Sequence, residues 1–367
     1  MTDFIQLHML VSYPPSNLNR DDLGRPKTAV MGGKNRLRIS SQSLKRAWRT
    51  SDLFESALKG NLGVRTKRLG TEIFEALKKG TLLSDRLAGK DAPDARMKPV
   101  AEKNALKIAQ SIAAVFGKVK KGDESLEIEQ LMHFSPDEIK AIDDLLVKLS
   151  QTGKEPSEDE KELLMKKHSA VDIAMFGRML ADKPMYNVEA AAQVAHAITV
   201  HEVAVEDDYF TAVDDLNRGD VDQGAGHIGE TEFAAGLFYM YLCINRDLCV
   251  ENLKGDAALT KRGIQALIET AAKVGPAGKQ ATFASRAYAS YILAERGSQQ
   301  PRSLSVAFLK PAGNGDMLDG AITAINDTRT KMDAVYGKTS DGIYEVNALA
   351  GKGTLTDLIK FATKDHV

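Results

Sequence analysis

Residues 60–168 carry one amphipathic helical pattern after another, and they separate two parts of the chain in which apolar residues alternate. The first alternation lies near the N-terminus, at Ile5, Leu7, Met9 and Val11. A period of two is typical of a strand, whereas apolar residues that recur every three or four positions indicate a helix. A chain with this order must accommodate a long helical segment between strands.

The order of the predicted elements indicates an α+β fold. A strand and a helix precede the helical segment, and strands, a helix, a strand and further helices follow it. We expect a modified RRM-like or ferredoxin-like domain formed by residues 1–59 and 169–367, with residues 60–168 as a helical insertion. The acidic, glycine-rich stretch at 205–230 predicts a hairpin that protrudes from this domain.

Local patterns predict individual elements. We expect one helix from Ser40 or Ser41 to about Leu58, because both serines are good N-caps and the sequence KGNLG ends it. Period-two stretches predict strands at 171–179, 284–296 and 303–311. Amphipathic patterns predict helices at 256–274, 317–335 and 354–361.

Residues 34–49 form a basic unit that joins a strand pattern to a helix pattern. On a strand, residues two apart share one face, as would Lys34, Arg36 and Arg38. On the helix that follows, an apolar stripe lies opposite a basic arc. The stripe contains Leu44, Ala47, Trp48 and Ser51, and the arc contains Gln42, Lys45, Arg46 and Arg49. The arc therefore faces outward beside a helix N-terminus, whose free N–H groups favour anions.

The charge distribution favours a polyanion as the ligand of this unit. The formal net charge of the chain is −1, yet residues 20–68 carry 13 Lys or Arg against 4 Asp or Glu. Clustered cations gain affinity for nucleic acid by releasing counterions, and Arg20, Arg25 and Lys27 would extend the same surface. Residues 122–160 carry 12 acidic residues against 3 basic ones, a polarity that would favour head-to-tail attraction between copies.

Motifs associated with cofactors do not meet their structural requirements. GAGHIG at 224–229 matches a dinucleotide-binding pattern, but no strand pattern precedes it and no helix pattern follows. GKT at 337–339 lacks the first glycine of a P-loop. His196 and His201 are five residues apart, which is a poor spacing for a shared metal ion. We therefore expect no cofactor and no metal site.

The remaining compositional features indicate a cytoplasmic protein. Cys243 and Cys249 have neither disulfide nor metal-ligand spacing, so we expect buried thiols in a reducing compartment. No apolar run approaches the length of a membrane span, and the N-terminal sequence MTDFIQLHMLVSY is unlike a signal peptide. We expect no membrane partner.

Several motifs resemble the CasC family, the backbone subunit of the type I-E CRISPR Cascade complex. They occur in the expected order from the first strand to about Asn252, as NLNRDD, GGKNRLRISSQSLKRAWR, VDIAMFGRML, VAHAITVHEV, and DYFTAVDDL followed by GHIGETEF. The resemblance implies an RRM-like palm, helical fingers and a thumb hairpin. It also implies a non-catalytic subunit of an antiviral ribonucleoprotein. Copies would stack head to tail along one CRISPR RNA, beside other Cascade subunits, and present this guide for pairing with target DNA.

The resemblance further implies roles for single residues. RNA phosphates would be held by Arg20, Lys27, Gln42, Lys45, Arg46 and Arg49, and the strand pattern adds Lys34 and Arg38. A wedge against a displaced base would be formed by Met175, Phe210 and Ile228. Candidate contacts to target DNA are Lys98, Lys103 and Lys107. Cations that bind phosphates read no sequence, which suits a subunit that must carry many different guides.

Two functions of other classes stay open. A metal-dependent nuclease or RNA-processing enzyme of the wider RRM-like CRISPR group would use carboxylates near the predicted hairpin, at Asp207, Asp208, Asp214 and Asp215. No nucleophile or base lies at a recognisable spacing from them. A nucleotide-dependent oxidoreductase would require GAGHIG to bind a nicotinamide cofactor, which we do not expect.

Overall fold

The computed structural model describes residues 2–122, 125–212, 227–313 and 315–364, with the backbone alone for His227 and Ile228. In chain order the helices and strands are β1 Phe4–Ser16, β2 Thr28–Met31, β3 Lys34–Ile39, α1 Ser41–Arg49, α2 Asp52–Ala57, β4 Val64–Thr66, α3 Leu69–Lys79, α4 Leu83–Leu87, α5 Glu102–Phe116, β5 Met132–Phe134, α6 Pro136–Thr152, α7 Val171–Phe176, β6 Ala192–Val194, β7 Ala197–Thr199, β8 Glu206–Ala212, β9 His227–Asn245, α8 Arg246–Asn252, α9 Ala257–Lys273, α10 Gln280–Phe283, β10 Ala289–Gly297, α11 Met317–Tyr336, β11 Gly342–Asn347 and α12 Leu355–Thr363.

The chain forms two compact units. The first contains residues 1–57, 192–246 and 264–367, and the second contains residues 58–191 and 247–263. The second unit therefore includes the segment predicted as a helical insertion, together with the residues that follow it as far as 191 and the first part of α9.

The first unit is organised around an antiparallel sheet. Among the described residues, nine strands join this sheet in the order β11-β10-β1-β9-β7-β3-β2, and β6 and β8 also pair with β9. Strand β1 is central, with Met9 opposite Met240 of β9 on one side and Ile292 of β10 on the other. An antiparallel sheet with helices confirms the predicted α+β class.

Each unit has its own core. In the first unit Leu10, Tyr239 and Tyr291 of the sheet pack against Ala321 and Ile325 of α11. In the second unit the core is formed mainly by α3, α5 and α6, with a separate two-stranded sheet of β4 and β5. Helix α6 begins with a complete capping box between Ser135 and Glu138, a strong start signal that the sequence already carries.

Most element predictions are confirmed. The first strand, β10, and the three helices α9, α11 and α12 lie where the patterns place them. The predicted single helix to Leu58 is instead two helices. Ser51 ends the first by donating to the carbonyl of Trp48 (2.8 Å), and its Oγ accepts from the N–H of Phe54 (3.3 Å) at the start of the second. A serine hydroxyl that bonds to nearby backbone groups competes with the helix ladder.

Two predicted strands are wrong. Residues 171–179 contain helix α7, in which five of six residues are buried. Asp172, the one charged residue of this helix, is itself buried, so no exposed polar face marks a helical period and the sequence pattern could not distinguish the segment from a strand. Residues 303–311 contain a 3₁₀-helix at Ser305–Phe308, where Val306 and Leu309 are exposed three residues apart while Phe308 is buried.

Candidate nucleic-acid interface

Strand β3 separates the three cations that the sequence places on one face. Lys34 is exposed and pairs with Glu202 at 3.0 Å, and Arg38 donates to Nδ1 of His196 at 2.8 Å. Arg36 is fully buried, and its guanidinium donates to the carbonyls of Thr199 and Phe308, both at 2.9 Å. The prediction that Arg36 shares an exposed basic face is therefore wrong, because its side chain lies in the core, where backbone carbonyls of other segments accept from both Nη atoms.

Helix α1 presents its cations as the sequence predicts. Leu44 and Trp48 are fully buried, and the indole N–H of Trp48 donates to the carbonyl of Val274 at 3.1 Å. On the remaining circumference Gln42 and Arg46 are exposed, while Lys45 and Arg49 are half-buried. The buried Trp48 fixes the rotation of the helix, so the orientation of the basic arc is set by the core.

A loop that precedes β2 is held beside the N-terminus of α1. The side chain of Asn19 accepts from the N–H of Ser40 (2.8 Å), and its carbonyl accepts from the N–H of Lys27 (2.8 Å). The hydroxyl of Ser40 in turn caps α1 by accepting from the N–H of Ser43 (3.3 Å). Asn19 therefore joins the loop that carries Arg20 and Lys27 to the helix.

We call the group of side chains on this loop and helix the α1 surface; it comprises Arg20, Lys27, Gln42, Lys45, Arg46 and Arg49. Within the described part of the chain, Arg20, Lys27 and Arg46 form no ion pair. The first turn of α1 contains no acidic residue, and its last turn contains Arg46 and Arg49. A helix N-terminus without a carboxylate, bordered by unpaired cations, favours an anionic ligand.

Two pKa shifts report the electrostatic environment of this region. Burial lowers the pKa of Lys45 below its ordinary value. Burial, together with the charges of Arg38 and Lys27, lowers the pKa of His196. A histidine whose protonated form is disfavoured by neighbouring cations lies in a positive potential. An approaching phosphate would favour the charged forms of both side chains.

The hairpin predicted within 205–230 is formed by β8 and the first part of β9, which pair antiparallel from Glu206–Phe233 to Ala212–His227. Residues 213–226, with Asp214 and Asp215, lie outside the described residues. Phe210 is 45% exposed, and its ring lies over Gly229 on the paired strand, where an added Cβ would come within 2.4 Å of the ring. Ile228 lies in β9 opposite Thr211, and its side chain is not described. The glycine thus leaves a site for an aromatic ring on the hairpin.

The structure does not place Met175 where a wedge requires it. Met175 is fully buried in α7, and a Cβ at Gly263 would lie 3.0 Å from its terminal methyl group. The predicted contact between Met175 and a base is therefore wrong for this conformation, because the side chain belongs to the core of the second unit. Four residues later, Met179 is 73% exposed, and Met185 in the same loop is exposed to the same extent. The motif VDIAMFGRML contains both Met175 and Met179, and the sequence gives no signal of which of the two is exposed.

The three candidate DNA contacts lie on the second unit. Lys98 precedes α5, and Lys103 and Lys107 are one turn apart on it; all three are exposed. None of their ammonium groups is paired with a carboxylate in the described part of the chain. The structure therefore leaves them available for a ligand, with no network that fixes their position.

The other candidates of the sequence have separate structural partners. His201 accepts from the N–H of Leu237 at 3.1 Å, whereas His196 bonds to Arg38, so the two histidines share no site. Cys243 and Cys249 are buried free thiols, as predicted. Among the residues that the structure describes, no three His, Cys, Asp or Glu side chains converge as a metal site would require. No described helix is both long enough and apolar enough to cross a bilayer.

Comparisons with known proteins agree over nearly the whole chain. The family model described as CT1975-like protein matches residues 5–362. A chain of a solved structure described as a CRISPR RNA-guided surveillance complex, pre-nicking, is 30% identical with a TM-score of 0.78, covering 98% of this chain and 100% of that one. A chain of a second CRISPR RNA-guided surveillance complex is 25% identical with a TM-score of 0.69, covering 98% and 99%. No curated protein matches the sequence significantly.

Proposed function

The chain belongs to the family of CT1975-like proteins, and from that premise we propose that it is the guide-RNA-binding backbone subunit of a type I-E CRISPR surveillance complex. The solved chains to which it is similar belong to RNA-guided complexes, and the similarity covers both chains almost completely. In this proposal the protein is a non-catalytic, cytoplasmic scaffold. It holds the guide RNA and takes no part in cleavage.

The main support for the proposal is the organisation of the α1 surface. Its loop and helix are joined through Asn19, and three of its cations, Arg20, Lys27 and Arg46, have no ion-pair partner among the described residues. Such a surface binds successive phosphates of one strand and leaves the base edges free. A subunit that carries guides of any sequence needs this arrangement, because pairing with the target supplies the specificity.

The hairpin supplies a second element of the proposed mechanism. The ring of Phe210 over Gly229 is positioned to contact a base, and an apolar side chain can keep an unstacked base step open. Met179, rather than the buried Met175, is the methionine of the same motif that is accessible for such a contact. Ile228, whose backbone pairs with Thr211 in the same hairpin, is proposed as a further wedge residue.

The proposal extends to other copies of the chain and to target DNA. The basic segment at 20–68 and the acidic segment at 122–160 support head-to-tail assembly along the RNA. Sedimentation with RNAs of increasing length should show the number of bound copies rising with the length of the strand. Lys98, Lys103 and Lys107 are proposed to contact target DNA after the guide is bound, so their loss should weaken binding of the target while guide binding is kept.

The test of RNA binding is a salt titration with single strands of unrelated sequence. If the five cations of the α1 surface each contact a phosphate, log Kobs should fall with log salt concentration with a slope of about −3.5 per protomer. Affinity should depend little on base sequence. A slope near zero, or strong discrimination between sequences of equal length, would contradict the proposal.

The alternative of a nuclease is separated by a second measurement. End-labelled RNA and DNA are incubated with the protein and Mg²⁺ or Mn²⁺, and we expect both strands to remain intact. Metal-dependent cleavage that is lost in the double variant Asp207→Asn, Asp208→Asn would support the nuclease and refute the scaffold function. Cleavage that persists in this variant would indicate a contaminating nuclease, which a second purification step identifies.

A further inference from the structure

The hairpin meets the main sheet at three consecutive residues of β9. Residues 227–233 of β9 pair with β8, whereas β9 pairs with β1 from Ala234 onward. We call Thr231, Glu232 and Phe233 the hairpin junction. Any change in the direction of the hairpin must occur here, because on one side of this point the strand is held by the central sheet.

One face of the junction is held by the segment that contains α10. The ammonium group of Lys279 donates to the hydroxyl of Thr231, and the ring of Phe283 packs against that of Phe233 with centroids 6.0 Å apart. Thr231 and Phe233 are two residues apart and therefore share a face of the strand. Phe210 lies on this same face, since it pairs with Gly229, two positions before Thr231.

The opposite face is held by the loop that belongs to the α1 surface. The guanidinium of Arg25 pairs with the carboxylate of Glu232 at 3.2 Å. The side-chain amide of Asn17, which is fully buried, donates to the carbonyls of both Glu232 and Gly24 at 2.9 Å. The loop that carries Arg20 and Lys27 is therefore bonded directly to the base of the hairpin.

The α10 segment is itself fixed in an unfavourable backbone conformation. Lys279 and Ala284, the residues on either side of α10, both have φ of 48°, in the left-handed region that residues with a Cβ rarely adopt. At Gly278 an added Cβ would lie 2.4 Å from the carbonyl oxygen of Leu18, so this segment also contacts the loop. Conformations of this kind persist only where the surrounding contacts determine them, and they concentrate at functional positions.

We propose that Lys279 and Phe283 are positioning residues that set the direction of the β8–β9 hairpin relative to the α1 surface. This proposal rests on the proposed RNA-binding function. Phosphates held by the loop and α1 fix the register of the strand, and the junction fixes where the ring of Phe210 meets a base. A rigid junction would make every copy displace the base at the same distance from its phosphates. A hairpin that could change its direction would displace bases at varying distances from the phosphates.

The test uses the full-length protein and three variants of matched chemistry. Lys279→Met removes the donor to Thr231, Lys279→Arg keeps a donor, and Lys331→Met removes an exposed lysine of α11 as a control for lost charge. Loss of a charged hydrogen bond predicts amide exchange about tenfold faster at Glu206–Ala212 in Lys279→Met, with exchange in β1 and β10 unchanged. Lys279→Arg and Lys331→Met should exchange as the unmodified protein does. Unchanged exchange at Glu206–Ala212 in Lys279→Met would overturn the proposal, as would equal acceleration throughout the sheet.

A second readout follows the bound strand. Single-stranded RNAs with 2-aminopurine at successive positions brighten where a base is unstacked, and the unmodified protein should give a fixed pattern of bright positions. In Lys279→Met the pattern should be lost or spread to neighbouring positions, while the salt slope stays the same. A slope smaller by about 0.7 would show that Lys279 contacts a phosphate instead, and it would overturn the positioning role. Failure of the unmodified protein to bind RNA would refute the proposed function alone, since amide exchange decides the junction without RNA.

Discussion

Two groups of cations on this chain differ in what holds them. The α1 surface lies on a helix whose rotation is fixed by Trp48, beside a loop that Asn19 bonds to the helix N-terminus. The second group, Lys98, Lys103 and Lys107, lies on and before α5 in the second unit, and none of the three ammonium groups has a described partner. We call this second group the α5 lysines. Both groups are accessible, and only the first is organised.

The difference shows that the number of lysines is a poor guide to a binding surface. Flexible, solvated cations attract any polyanion weakly, and ordering them on binding costs side-chain entropy. A surface whose loop and helix are already bonded together loses less entropy when it binds. We therefore expect the α1 surface to hold RNA at a fixed register, and the α5 lysines to add a weaker, less directional attraction for target DNA.

The largest effect is expected where a cation belongs to the core and not to the surface. Arg36→Met leaves the carbonyls of Thr199 and Phe308 without their donors and should lower the free energy of unfolding by about 3 kcal/mol. Lys34→Met, on the same strand, removes an exposed ion pair and should change the free energy of unfolding by less than about 0.5 kcal/mol. Fluorescence of Trp48, the single Trp of the chain, follows denaturation of the first unit. Equal effects of the two substitutions would contradict the assignment of Arg36 to the core.

A smaller effect tests the cap at the N-terminus of α1. Ser40→Ala removes the hydroxyl that accepts from the N–H of Ser43 and should cost about 1 kcal/mol. Ser41→Ala alters a neighbouring hydroxyl that caps no helix, and its cost should stay below about 0.5 kcal/mol. The midpoints of urea unfolding, again followed by Trp48, compare the two. If the two substitutions lower the free energy of unfolding equally, the cap of Ser40 does not stabilise the start of α1.

The smallest effect concerns the protonation of Lys45. Burial lowers its pKa, so as the pH rises it loses its charge earlier than an ordinary lysine, whose pKa is about 10.4. The salt slope of binding should therefore decrease by about 0.7 as the pH rises toward that value. Single-stranded DNA is the probe, since RNA hydrolyses in alkali. Lys45→Arg keeps its charge throughout and should abolish the decrease; a decrease of the same size in this variant would assign it to another group.

The sequence predicts the parts of the fold and site that depend on local period. The alternation in β1, the stripe of Leu44 and Trp48 on α1, and the helices α9 and α11 are all confirmed. The resemblance to the CasC family is confirmed by the family match over residues 5–362 and by the two solved structures. These features can be predicted because a period of two or 3.6 depends only on residues close together in the sequence.

The failures share a different physical cause. Arg36 and Met175 are buried because segments distant in the sequence cover them, and a period gives the face of a residue but not its depth. Helix α7 was not predicted because five of its six residues are buried, so no polar face marks a helical period. Asn19, which joins the loop to α1, belongs to the motif NLNRDD. Its hydrogen bond to Ser40 spans 21 residues, so no local pattern predicts it. Tertiary contacts decide each of these cases.

The central claim is that the α1 surface, and not accessible lysine in general, holds the RNA backbone. The direct measurement compares two triple variants that remove the same charge, Lys45→Ala with Arg46→Ala and Arg49→Ala, and Lys98→Ala with Lys103→Ala and Lys107→Ala. In a salt titration with single-stranded RNA, the first variant should lower the magnitude of the slope by about 2, and the second should leave it unchanged. Equal changes in both variants, or an unchanged slope in the first, would contradict the account.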